Sequence, residues 1–170
     1  FDTQRSGGVA SKINDAGYDV LKNVSLKNLN VAEIGPGGGY HFKYFDGPPA
    51  NYNAIDVSVE FLEKLKEKVE SLGSAYKAIK VSANEPKIDL PNESQDVILT
   101  FYSLEHLHPI EEWIAELIRI LKPGGLIVGG IPCEGGFAWG LGRFLTSKRL
   151  VKQKYDLDLD KIVCWEHPNF

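Results

Sequence analysis

The stretch that most constrains this chain is Val31-Ala32-Glu33-Ile34-Gly35-Pro36-Gly37-Gly38-Gly39-Tyr40. Leu29 to Ile34 is a short apolar run of strand character, and it breaks at Gly35 into a glycine-dense turn. Gly35, Gly37 and Gly39 alternate, so several positions can take positive φ, and no Cβ stops a ligand from lying against the backbone. A strand ending in such a turn, before a helix, points N–H groups into the crevice at the carboxyl edge of a sheet. Open α/β sheets bind their ligands there.

The residues around the turn narrow the ligand. No Gly-Lys-Ser/Thr follows the glycines, so a P-loop for a triphosphate and its Mg²⁺ is excluded. The dinucleotide fingerprint G-x-G-x-x-G is excluded too, because its last glycine would fall on Tyr40. The acidic residue comes before the glycines, as Glu33-x-Gly35-x-Gly37-x-Gly39. A carboxylate at that strand end suits a cationic ligand and would repel a pyrophosphate.

Around this centre the pattern alternates strand and helix. Val9 to Val24 approximates a helical face weakened by Gly17, and Tyr40 to Phe45 reads as a short helix ended by Gly47-Pro48-Pro49. Tyr52 to Ile55 is a second strand, stopping at Asp56. Ser58 caps a helix whose buried stripe is Leu62, Leu65, Val69 and Leu72 and which Gly73 closes. Ala75 to Val81 is a third strand and residues 84–93 a loop. Gln95 to Thr100 reads as a strand buried on both faces. Pro109 opens a helix to Leu121 with Ile110, Trp113, Ile114, Leu117, Ile118 and Leu121 on one face. Lys122-Pro123-Gly124-Gly125 then stops it, and Leu126 to Ile131 is a fifth strand. Strands joined through helices imply right-handed crossovers and a doubly wound, mostly parallel α/β sheet with helices on both faces. Past Pro132 short helices are expected at 137–145 and 147–155.

At 170 residues the chain is expected to be one domain: a helical lead-in at 1–28, a ligand-binding core at 29–131 and a variable segment at 132–170. A net charge of −4 argues against a nucleic-acid partner. No apolar run is long enough to span a bilayer, and Phe1 to Arg5 lack a signal-peptide pattern. Cys133 and Cys164 are far apart and make no metal spacing, so a reduced, cytoplasmic chain is the expectation. The chain contains no Met at all, initiator included, which suggests a piece of a longer protein.

The acid-x-G-x-G-x-G pattern resembles motif I of the class I S-adenosylmethionine-dependent methyltransferases, in particular their small-molecule, type 11-like members, and the resemblance extends from Leu29 to Ile131. It implies the Rossmann-like methyltransferase fold, S-adenosylmethionine as cofactor, and methyl transfer to an oxygen or nitrogen atom of a small-molecule acceptor. A complete member would add a closing antiparallel hairpin, for which the last segment offers no room. In the family the turn formed here by Gly35, Gly37 and Gly39 lies against the methionine and ribose portions, and Glu33 meets the methionine amino group directly or through water. Asp56 would accept both ribose hydroxyls, with Val57 and Ser58 flanking the adenine; the same position would serve an NAD ribose. Ser82 and Ala83 stand where the family often has Asp-Ala against the adenine, so Ser82 offers a hydrogen bond without the usual charge.

A fourth match is Asp96 to Leu107, similar to the family's strand-four segment ending in Glu-His; Phe101 would wall the methionine and His106 would lie near the substrate mouth. His106 is either a general base, since imidazole titrates near neutrality, or a structural residue of the helix lead-in. His106 and His108 at i, i+2 do not make a metal pair. Tyr40 and His41 are further candidates to face the methyl group. Arg143, Lys148, Arg149, Lys152 and Lys154 are either a solvated helix face or a guide for an anionic acceptor. The alternatives are an NAD(P)-dependent oxidoreductase or epimerase, disfavoured by Tyr40 and the lack of a Tyr-x-x-x-Lys pair, and a non-catalytic cofactor-binding subunit.

Overall fold

The computed structural model describes residues 17–131. The chain divides into two units, Phe1–Gly130 and Ile131–Phe170, and the first carries everything that follows. The expected helices at 137–145 and 147–155, the basic run and the segment expected to lack a closing hairpin lie outside the described residues, as does the lead-in before Gly17.

Five strands form one sheet: β1 (Asn30–Ile34), β2 (Asn51–Asp56), β3 (Ala75–Lys80), β4 (Gln95–Phe101) and β5 (Leu121–Gly130). Their order is β3-β2-β1-β4-β5 and every pairing is parallel. The winding reverses between β1 and β4, so the carboxyl ends of those two central strands open the crevice. Helix α1 (Val59–Ser71) returns β2 to β3, and α2 (Ile110–Ile120) returns β4 to β5. A 3-10 turn at Tyr40–Tyr44 replaces a full helix between β1 and β2.

Strand periodicity sorts the core into two layers. Val31, Tyr52, Ala54, Val97 and Leu99 pack with Leu21, Phe42, Leu62, Leu65 and Val69 on one face. Ala32, Ile34, Ile55 and Ile98 pack with Trp113, Leu117 and Ile120 on the other. The expected α1 stripe holds through Val69, but Leu72 is exposed because it sits at the C-cap, beyond the last packed turn. Ser58 caps α1 through its Oγ, which accepts the Phe61 N–H at 3.4 Å, and Gly73 at φ +89° ends it. In α2 the buried line is Trp113, Leu117 and Ile120, whereas Ile118 turns to solvent. The i, i+4, i+7 row through Trp113 points at the sheet, and at 3.6 residues per turn residue 118 falls about 130° from the centre of that row.

Two strand boundaries also moved. Asp56 is still paired within β2, opposite Lys80. The Lys122-Pro123-Gly124-Gly125 stop is a four-residue excursion inside β5: Leu121 pairs Gln95 and Leu126 already pairs Val97. Arg119 fastens the expected loop at 84–93, donating to the carbonyls of Ile88 and Leu90 at 2.9 Å and to Asn92 Oδ1 at 2.7 Å. Glu116 holds the guanidinium from its other side and accepts the Ile88 N–H at 2.7 Å.

Candidate cofactor-binding site

Gly35, Gly37 and Gly39 all take left-handed φ, at +63°, +51° and +61°. Three such residues at alternate positions need glycine, because a side chain costs roughly 1–2 kcal/mol at each. The three differ in what surrounds them. A Cβ on Gly35 would come 2.7 Å from Ser103 Cβ, and one on Gly39 would come 2.8 Å from both Leu65 and Phe42. A Cβ on Gly37 would meet nothing within 4 Å. Gly35 and Gly39 are therefore packed against protein, and Gly37 borders open space.

Asp56 faces that space from the end of β2. Its carboxylate accepts the Ser58 N–H at 2.8 Å and is also reached by the backbone N–H groups of Val57 and Gly37. The residue is 8% exposed, and burial pushes its carboxyl above the ordinary value of 3.8 against the pull of those three N–H donors. The same strand end receives β3: the Val81 N–H donates to the Asp56 carbonyl at 3.1 Å. Ser82 and Ala83 thus continue the crevice wall beside Asp56 and the exposed Val57. Ser82 is exposed, and Ala83 is fixed through its carbonyl, which accepts from His108 N–H and Trp113 Nε1–H, both at 2.9 Å.

The β4 end closes the opposite wall. Phe101 is buried among Tyr18 and His41, with ring centroids at 4.9 and 5.8 Å. Tyr102 follows at φ +56°, and its N–H donates to the Gly130 carbonyl at 2.8 Å. Ser103, hydrogen-bonded to Thr100 Oγ1 at 2.9 Å, is the residue that seats Gly35. His106 ends the following 3-10 turn, exposed, with its N–H on the Ser103 carbonyl at 3.1 Å.

Glu33 stands differently from expectation. It is 1% exposed and points with Val31 into the layer under the turn. Its Oε2 accepts from His41 Nε2 at 2.9 Å and from the Tyr52 hydroxyl. His41 is correspondingly buried against Glu33 instead of facing the crevice, because the 3-10 turn rotates it toward β1. Tyr40 is exposed beside Lys68, whose Nζ lies 5.3 Å from its ring and donates to the Gly38 carbonyl at 3.0 Å. The sequence reading missed Tyr52 and Ser103. The parity of β1 and β2 was the available signal for Tyr52.

The residues present fit S-adenosylmethionine. Gly37 leaves the turn's backbone bordering open space, with nothing within 4 Å of where a Cβ would stand, and Asp56 offers a carboxylate beside it for vicinal hydroxyls. A cavity of about 830 Å³ between the 80–90 segment and α2 touches the crevice only at Val81 and Ser82. Another of about 320 Å³, lined by Asn30, Asn53, Tyr76 and Gln95, lies at the opposite strand ends. Among the described residues no group of His, Cys, Asp and Glu is placed to hold a metal, and no helix is long and apolar enough to cross a membrane.

A family model described as a methyltransferase domain matches residues 32–129, more than half of the chain. The chain belongs to the class I S-adenosylmethionine-dependent methyltransferases. The chain is 29% identical over 136 residues to the highly reducing polyketide synthase sthA of Phaeosphaeria nodorum, covering 71% of this chain and 5% of the synthase. It is 28% identical over 112 residues to the ubiquinone/menaquinone biosynthesis C-methyltransferase UbiE of Francisella tularensis subsp. novicida, covering 64% of this chain and 45% of that enzyme. It thus spans less than half the length of these curated relatives. The crystal structure of a SAM dependent methyltransferase from Aquifex aeolicus superposes with a TM-score of 0.54 at 27% identity, over 83% of this chain and 88% of that one. The family assignment sets aside the oxidoreductase alternative.

Proposed function

We propose that this chain transfers a methyl group from S-adenosylmethionine to an oxygen or nitrogen atom of a small-molecule acceptor, anionic acceptors included. The observation that carries the reading is the open space on Gly37 next to the Asp56 carboxylate, which takes the Gly37 N–H. When bound, S-adenosylmethionine supplies a methyl group already activated on its sulfonium sulfur for in-line displacement.

The protein's work is then binding, alignment and exclusion of water. Asp56 would accept the ribose hydroxyls, and the side-chain-free face of the turn would take the amino-acid portion. Val57, Ser82 and Ala83 would border the adenine. Phe101 and Ser103 hold the β4 end against the turn, so the wall beside the transferred group is fixed by packing rather than by a loop. On this reading His106, exposed in the turn that follows Ser103, would take a proton from an acceptor that arrives as a hydroxyl or ammonium.

A carbon acceptor is the second reading, favoured by the relative whose name is a C-methyltransferase. Methyl-labelled S-adenosylmethionine incubated with small alcohols, phenols, amines and activated carbon acids separates the two. Label in an O- or N-methyl product supports the first reading, and label only in C-methyl products replaces it with the second. If S-adenosylmethionine binds without turnover on any class, the chain is a binding subunit and the proposal fails.

A further inference from the structure

The acidic residue of the turn motif is buried beneath the glycine turn. Glu33 lies two residues before Gly35, and His41 lies two residues after Gly39. Their side chains meet at 2.9 Å, at 1% and 2% exposure, so a single buried hydrogen bond joins the two ends of the glycine turn. Tyr52, from the neighbouring strand β2, donates to the same Oε2. Its phenol keeps its proton, since burial foremost and then the Glu33 charge push it well above the ordinary tyrosine value. Against an ionised Glu33, whose oxygens only accept, the His41 Nε2 is the donor.

The imidazole is held from its other sides as well. Its ring stacks on Tyr18 at 5.2 Å and meets Phe42, Phe45 and Phe101 at 4.9, 5.6 and 5.8 Å. A carboxylate in such an apolar layer is costly unless its acceptors are filled, and two of the surrounding groups fill one. The turn itself, four glycines and a proline, is held by backbone hydrogen bonds, from Gly35 N–H to the Ile55 carbonyl at 2.8 Å and from Gly39 N–H to the Pro36 carbonyl at 3.1 Å, and by Lys68 on the Gly38 carbonyl at 3.0 Å; the Glu33–His41 bond adds a buried side-chain link between its two ends.

We propose that Glu33 and His41 form a clasp that preorganises the glycine turn, and that His41 is a positioning residue for cofactor binding. The chain between them, residues 34–40, contains all three left-handed glycines. With the ends tied, the turn's N–H groups are fixed before a ligand arrives, and binding loses less conformational entropy. The consequence for affinity rests on the methyltransferase reading; the consequence for the turn itself does not.

The test compares His41→Phe, which keeps an aromatic ring without a donor, with His41→Gln, which keeps a donor of similar reach. Two quantities are read on each: amide hydrogen exchange at Gly37–Tyr40 without ligand, and the Kd for S-adenosylhomocysteine by calorimetry. The clasp predicts exchange at least tenfold faster and a Kd at least tenfold weaker in His41→Phe, with donor KM rising more than kcat falls. His41→Gln should recover most of both. Equal exchange in His41→Phe and wild type overturns the clasp, and so does a His41→Gln as impaired as His41→Phe. If His41→Phe does not fold, His41→Asn, too short to reach Glu33, takes its place against His41→Gln on the same criteria. Failure of the wild type to bind S-adenosylhomocysteine would count against the methyltransferase reading, while the exchange comparison still decides the clasp.

Discussion

Replacing Gly37 by alanine separates the packing role of the turn from its binding role. Gly37 and Gly39 have nearly the same left-handed φ, +51° and +61°, so both substitutions carry the same backbone cost, roughly 1–2 kcal/mol. For Gly39→Ala the new Cβ comes 2.8 Å from Leu65 and Phe42, both in the core, which adds about 1–3 kcal/mol of overpacking. For Gly37→Ala the Cβ enters open space and adds no such term. At about 2–4 °C per kcal/mol, Gly37→Ala should lower Tm by about 2–8 °C and Gly39→Ala by clearly more. Binding should rank differently. On the proposed reading the Gly37→Ala methyl would enter the space the cofactor takes, and a loss of tenfold to a hundredfold in affinity for S-adenosylhomocysteine is expected, about 1.4 kcal/mol per tenfold. Gly73→Ala is the control, since Gly73 is also left-handed and also open, but closes α1 away from the crevice. It should cost similar stability and no affinity. Differential scanning calorimetry and titration calorimetry on the three variants read both quantities. A Gly37→Ala protein that binds as tightly as Gly73→Ala would refute the reasoning.

Three further outcomes follow from named groups. Asp56 has a folded pKa above its ordinary 3.8, so the folded carboxyl binds its proton more tightly than the unfolded one; its contribution is present below 3.8 and lost as pH rises through the raised value. Asp56→Asn should therefore make the ligand-free fold at least as stable as wild type at pH 7 while weakening cofactor binding, and urea melts at pH 4 and 7 showing the variant less stable at pH 7 would contradict this. Arg119→Lys loses the fork that joins Glu116 to the Ile88 and Leu90 carbonyls and should cost about 1.5–3 kcal/mol by urea melt; an unchanged midpoint would show the fork contributes nothing. His106→Ala should lower kcat about 10²- to 10⁴-fold on a protonated acceptor if the imidazole acts as base, and unaltered kcat in steady-state assays removes it from the mechanism.

The parts of this molecule that were legible in the sequence are those set by neighbours along the chain. Positive φ at Gly35, Gly37 and Gly39, the Ser58 cap and the parallel direction of the strands all follow from local residue types and spacing. Asp56 was singled out because the apolar run Tyr52–Ile55 stops at it, and it stands at the last paired position of β2, at the carboxyl edge of the sheet. The direction of Glu33 was not read, because it is decided by a hydroxyl on β2 and an imidazole on the next turn, neither of which a linear pattern scores as a partner. His41 was assigned to the crevice on proximity to the glycines, whereas the tight 3-10 turn swings it to the core side. Leu72 and Ile118 were counted into apolar stripes by spacing alone, and the sheet had no surface left to cover them. The Lys122–Gly125 excursion joined β5 because the chain resumes the same ladder after it, a register that no local signal encodes.

The most direct measurement is a structure of this chain with S-adenosylhomocysteine bound. The account predicts the ribose hydroxyls on the Asp56 carboxylate, the amino-acid portion across the open face of Gly37, and the sulfur directed toward the Phe101–Ser103 wall. A nucleoside held elsewhere, with the Asp56 carboxylate still satisfied only by the N–H groups of Ser58, Val57 and Gly37, would contradict it.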